Sequence, residues 1–190
     1  MELKILKKSL IESPIIERGN YRYFIHPITD GIPRLYPDLL REIARSVIIC
    51  ADTDVDAIVT MEAMGIHIST VLSEMTDIPV NIVRKKKYNL PGEVVIHQKT
   101  GYSKGEMYLN SINRGDRILI FDAVISTGGT MCAVIDALNQ RGAVIKDAVA
   151  VIERGDGVAR VFEQTGIRVK TIIKVDVEEG VKIKSDIFKK

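Results

Sequence analysis

The stretch that carries the most chemistry is Ile118-Leu119-Ile120-Phe121-Asp122-Ala123-Val124-Ile125-Ser126-Thr127-Gly128-Gly129-Thr130. An apolar run delivers an acid, further apolar residues follow, and a hydroxyl- and glycine-rich turn then opens a segment with helical periodicity. Gly128 and Gly129 let backbone N–H groups come close to an anion. Ser126, Thr127 and Thr130 add hydroxyl donors, and a helix starting here turns its positive dipole end on the same point. That combination is a phosphate cradle. Asp122, read as the tip of the strand, is set to accept hydrogen bonds from sugar hydroxyls beyond it. A lone Gly-Gly-Thr would be no more than a strand-to-helix turn. Acid, turn and helix arriving in order favour the cradle. The competing nucleotide motif, a Walker A loop, ends in Gly-Lys-Ser/Thr, and the chain has no such tripeptide.

Other chemical groups are scattered. Arg84-Lys85-Lys86-Lys87 is the densest positive run. Such runs are usually solvated faces, but this one follows the carboxyl end of an expected strand and precedes a long loop, which suits a phosphate-rich ligand. Glu62 reads as a catalytic acid, a carboxylate behind a magnesium ion, or a helix-start charge complementing the dipole. His26, His67 and His97 stand singly, without metal spacing; His67 reads as structural. Cys50 and Cys132 also lack metal spacing and fit reduced thiols in a cytosolic protein. Tyr102 reads as a lid residue or a loop anchor.

The elements that must position these groups alternate. Residues 1–36 read as an irregular opening piece with turn formers at His26-Pro27 and Ile32-Pro33. Pro37 opens a helix with Leu40, Ile43, Ala44 and Val47 on one face. Strands are expected over 56–61, 79–83, 117–121, 143–152 and 169–177, and helices over 65–76 and 157–165. Between them, Met131, Val134, Ile135 and Leu138 form the stripe of a helix closed by Gly142. Residues 86–106 look like a long loop or loose hairpin, a length that is usually functional. Apolar strands separated by single helices imply an α/β fold with a mostly parallel sheet flanked by helices. Ligands in such sheets sit beyond the strands' carboxyl ends, so the loops after Met61, Val83 and Phe121 are the ones that matter.

The composition narrows the class. With 190 residues, 46% of them apolar, the chain can build one real core. A net charge of +2, from 27 basic and 25 acidic side chains, argues against nucleic acid as a partner. The longest apolar runs are five residues, such as Val47–Ala51, far short of a membrane span. Met1-Glu2-Leu3-Lys4 does not look like a secretion signal.

The 118–130 segment closely resembles the phosphoribosyl pyrophosphate (PRPP) motif of type I phosphoribosyltransferases. Thr60-Met61-Glu62-Ala63-Met64-Gly65 looks like that family's pyrophosphate loop, and Val83 to Val94 like the mobile loop of its adenine-phosphoribosyltransferase-like subgroup. Tyr23-Phe24-Ile25-His26-Pro27-Ile28-Thr29-Asp30 resembles the segment that frames the base. The nearest likeness is to the archaeal-type hypoxanthine phosphoribosyltransferases. The resemblance implies one domain over 1–190, with a base-framing hood in 1–36 and a PRPP-binding core in 37–190. It implies that Asp122 is catalytic and that Asp122, Ala123, Val124, Ile125, Ser126, Thr127, Gly128, Gly129 and Thr130 hold the ribose and 5-phosphate. Glu62, Ala63, Met64, Gly65, Arg84, Lys85 and Lys87 would face the pyrophosphate, and Phe24, Ile25 and His26 the base. It further implies a purine base as second substrate (hypoxanthine first, guanine second), magnesium arriving mainly with PRPP, closure of the 86–106 loop, a homodimer and a cytoplasmic location. Two departures stand out. The family motif carries two adjacent acids, and here Ala123 replaces the second. Adenine-specific relatives carry a glutamate where Gly101 precedes Tyr102. The alternatives are a PRPP- or purine-sensing regulator without turnover, an adenine phosphoribosyltransferase, and a pyrimidine-handling relative.

Overall fold

The computed structural model describes residues 1–19, 21–99 and 104–189. Six strands form the main sheet: β3 (Ala57–Met61), β4 (Val80–Val83), β7 (Arg117–Ile125), β8 (Val144–Glu153), β9 (Val169–Val177) and β10 (Val181–Asp186). Their order is β10-β9-β8-β7-β3-β4, parallel throughout except for the antiparallel edge strand β10. The strands inside this sheet read as continuous apolar runs because both faces are covered. On one side α3 (Pro37–Cys50) and α4 (Met64–Thr76) bury Ile43, Val47, Ile68 and Leu72 against Leu119 and Phe121. On the other, α5 (Gly129–Arg141) and α6 (Gly157–Thr165) bury Val134, Leu138 and Val161 against Ile118 and Ile120. The stripe on α3 begins at Leu39, which is fully enclosed, rather than at Leu40.

The opening piece is ordered, contrary to the irregular reading. It contains α1 (Lys4–Ile11), the hairpin β1 (Ile15–Arg18) and β2 (Tyr21–Phe24), and α2 (Pro27–Asp30). Leu3, Leu6 and Leu10 bury one face of α1, and Glu42 of α3 accepts from the N–H groups of Ile5 (3.1 Å) and Leu6 (2.7 Å). The cap is thus supplied from a distant helix and leaves no local mark. The 86–106 segment takes the hairpin alternative, with β5 (Val94–Lys99) paired antiparallel to β6 (Lys104–Leu109) and packed on α5. Gly101 and Tyr102 lie outside the described residues.

His26 fastens the opening piece. Its ring is fully buried, with Nε2 2.8 Å from Ser9 Oγ of α1, while Nδ1 accepts from Ile28 N at the start of α2. Burial pushes its pKa down to about 4, from an ordinary 6.5. The neutral ring is therefore the folded form. Its stabilisation is complete above pH 6.5 and is lost as the pH falls towards 4. His26→Gln should flatten the part of the stability profile lying in that window. Urea midpoints measured across it decide the point, and parallel curves for the two proteins would remove His26 from this role.

Candidate active site

The phosphate turn is built where expected. β7 hands over to Ser126 and Thr127, Gly128 adopts φ +76° at the N-cap of α5, and no side chain caps that helix. The first backbone N–H groups of a 13-residue helix are thus open to a ligand, which is the anion-binding geometry of a helix start. Asp122, Val124, Ile125, Ser126, Thr127, Gly128, Gly129, Thr130 and Met131 line the cleft above it. Gly128 is required twice over. Its φ is left-handed, and a Cβ there would lie 2.7 Å from Gly157 O of α6. A Cβ on Gly157 would in turn meet Ser126 O at 2.5 Å. The α6 start therefore braces the phosphate turn, a role for Gly157 that only its Gly-Asp-Gly setting after β8 could have hinted at.

Asp122 is not the strand tip. β7 continues three residues further along β8, through the pairs Val124↔Ile152 and Ile125↔Glu153. The β3 side of β7 nevertheless stops pairing at Thr60↔Phe121, so Asp122 is the first residue beyond the end of β3. That gap exposes its carboxylate to the cleft. Oδ1 accepts from Ala123 N at 2.7 Å, and burial raises the carboxyl pKa from 3.8 to about 7. Ala123 itself is fully buried in the core beside Phe121. Its side chain has no access to a ligand, and a second acid would here sit in hydrocarbon.

The other segments converge on the same place. A Cβ on Gly65, in the first turn of α4, would be 3.5 Å from Asp122 Oδ1 and 2.1 Å from Thr60 Oγ1, a buried hydroxyl without a hydrogen-bond partner. Glu62 spends its carboxylate on the basic segment: Oε2 lies 2.6 Å from Arg84 Nε, and Oε1 accepts from Lys85 N at 2.6 Å. It is a tie between two loops and does not cap α4, whose N-cap is Ala63. The Glu62–Ala63 peptide is cis. Ala63 is exposed, Met64 half-buried, and Lys85 and Lys87 are exposed on the way out of β4.

The base-framing residues need revision. Phe24 and His26 are both buried, with rings edge to face, so of the three candidates only Ile25 keeps partial access. Phe24 and His26 can offer a ligand no more than backbone. The exposed aromatic face of the hood is instead Tyr21 and Tyr23, whose rings are 4.5 Å apart. The alternation Tyr-Arg-Tyr-Phe in a strand was the available signal. Burial also pushes the Cys50 thiol up to about 11 and raises that of Cys132, so neither is a thiolate at neutral pH.

An uncapped helix start below a carboxylate, on the carboxyl edge of a parallel sheet, defines a sugar-phosphate-binding α/β domain. The chain belongs to the phosphoribosyl transferase domain family, whose description its residues 33–182 match. A relative from Methanocella paludicola, named hypoxanthine/guanine phosphoribosyltransferase, is 60% identical over 182 residues and 95% of each chain. One from Methanothermococcus okinawensis with the same name is 57% identical over 178 residues, 94% of this chain and 97% of its own. Among solved structures, adenine phosphoribosyltransferase from Rhodothermus marinus superposes with a TM-score of 0.73 at 24% identity, over 90% of this chain and 97% of that one. At that identity the likeness speaks to the fold.

Proposed function

We propose that this chain is a purine-salvage phosphoribosyltransferase that moves the 5-phosphoribosyl group of PRPP onto hypoxanthine or guanine, releasing pyrophosphate. The observation that carries the reading is the uncapped start of α5 beneath Asp122. The relatives named for hypoxanthine and guanine support the choice of base, and so does Gly101, where adenine-specific members carry glutamate.

In this reading the 5-phosphate sits on the Ser126–Thr130 backbone and hydroxyls, and Asp122 accepts from the ribose hydroxyls. Its carboxylate matters most as positive charge develops on the ribose carbon. The 62–65 loop, with Arg84, Lys85 and Lys87, faces the leaving pyrophosphate, and Glu62 holds these two segments in register. Asp122 is the one carboxylate among the described residues lining the cleft, and no described acidic cluster could hold a metal by itself. That donor set fits magnesium bound mainly through the PRPP oxygens, where it would neutralise diphosphate charge. No described helix is long and apolar enough to cross a membrane. The reading includes a homodimer at work in the cytoplasm, with residues 1–36 as the hood.

The test is a rate measurement with magnesium, saturating PRPP and a panel of bases. Hypoxanthine or guanine should exceed adenine by about 10²–10⁴ in kcat/KM, because a pocket paired to one hydrogen-bonding edge leaves buried groups unpaired with the other. Adenine as best substrate, or PRPP binding without turnover on any base, would overturn the assignment.

A further inference from the structure

Arg154 is the residue that joins the hood to the phosphate turn, and neither the sequence motifs nor the roles above use it. Its backbone N–H bonds Ile125 O at 3.0 Å, at the end of β7. Its neighbour Gly155 lies against Ser126 O, where a Cβ would stand 3.4 Å away. The half-buried side chain then rises to the hood. The guanidinium carbon stands 4.1 Å above the Tyr21 ring and 5.8 Å from that of Tyr23, and Nη2 donates to Arg22 O.

This arrangement does two things. Stacking on tyrosine holds the planar fork in one orientation, which removes much of the rotamer freedom a long side chain would otherwise lose on binding. The hydrogen bond to Arg22 O is the single one that the side chain donates to another described residue, so most of its five N–H groups remain for a ligand. With the 5-phosphate on the α5 start and the ribose at Asp122, the base extends from the cleft towards the hood. Arg154 stands between them.

We propose that Arg154 selects 6-oxopurines by presenting its fork to the O6/N7 edge of the base. Two parallel donors match two acceptors, the pairing arginine makes with guanine in nucleic acids. Hypoxanthine and guanine share that edge. Adenine carries an amino group in place of O6, so one donor would face another. The 2-amino group lies on the opposite edge, so Arg154 does not distinguish hypoxanthine from guanine. Tyr21 is a positioning residue in this scheme, since it touches the arginine and leaves the base alone.

The proposal rests on the purine-transferase reading, and the experiment separates the two. Wild type, Arg154→Ala, Arg154→Lys and Tyr21→Leu are compared for kcat/KM on hypoxanthine, guanine and adenine, for KM on PRPP, and for IMP against AMP affinity by titration, with melting curves as a fold control. Arg154→Ala should lose about 30-fold or more on both oxopurines and under about 3-fold on adenine, with KM for PRPP unchanged. Arg154→Lys, which keeps the charge without the fork, should lose about 10-fold on the oxopurines. Tyr21→Leu should move the same way by less. IMP affinity should fall with the rates while AMP affinity stays. A wild type that prefers adenine overturns the functional reading and this proposal with it. An oxopurine-preferring wild type whose ratio survives Arg154→Ala, or a variant that falls equally on all bases, overturns the role of Arg154 alone.

Discussion

Asp122→Asn is expected to lose about 10–100-fold in kcat/KM and at pH 8 to melt at a higher temperature than the wild type. The activity loss follows from removing a charge-assisted hydrogen bond, worth roughly 1.5–3 kcal/mol, where positive charge develops. The stability gain follows from burial. The folded carboxyl titrates near 7 against an ordinary 3.8, so the fold favours its neutral form. That stability is fully present below the unfolded value and is lost as the pH rises through the folded one, after which the deficit is constant. Asparagine is neutral throughout. The melting curves of the two proteins should therefore coincide near pH 4, diverge up to about pH 7 and run parallel above, with a gap on the order of a few degrees. A variant that keeps more than half the wild-type kcat/KM would take Asp122 out of the mechanism. One that melts lower at pH 8 would make the carboxylate a structural group.

The second large effect is expected at Gly65. A methyl group there would meet Thr60 Oγ1 at 2.1 Å, and Thr60 is fully buried in a strand paired on both sides. Something must shift, and the third neighbour at that point is Asp122 Oδ1, 3.5 Å away. A displacement of about 1 Å at a reacting centre can cost about 10²-fold, so Gly65→Ala should fall by that order. Overpacking should cost a further ~1–3 kcal/mol of stability. Thr60→Ala removes the colliding atom and leaves an ordinary 3.5 Å contact at Thr60 Cβ. The Thr60→Ala/Gly65→Ala double variant should regain about 10-fold or more over Gly65→Ala, while Thr60→Ala alone stays close to wild type because its hydroxyl has no partner to lose. Strictly additive losses across this cycle would show that the two residues do not share the space.

What the linear chain determined by itself is what neighbouring residues decide among themselves. The apolar run of β7, the 3.6-residue stripe of α5 and the Ser126–Thr130 turn between them are contiguous, and each follows from local propensity and periodicity. From these the parallel sheet, the phosphate cradle and its acid were legible, together with the basic exit from β4. Only the tertiary structure decided the groups whose partners lie far along the chain. Glu42 caps α1, Ser9 takes the ring of His26, and Gly157 braces Gly128. Arg84 and Lys85 converge on Glu62, and Arg154 meets Tyr21. A sequence shows that a histidine or a glutamate is present, but whether its polar atoms face a ligand or one another depends on which distant element packs beside it. For that reason His26 and Phe24 passed from the site to the core, and Arg154 passed from the surface to the site.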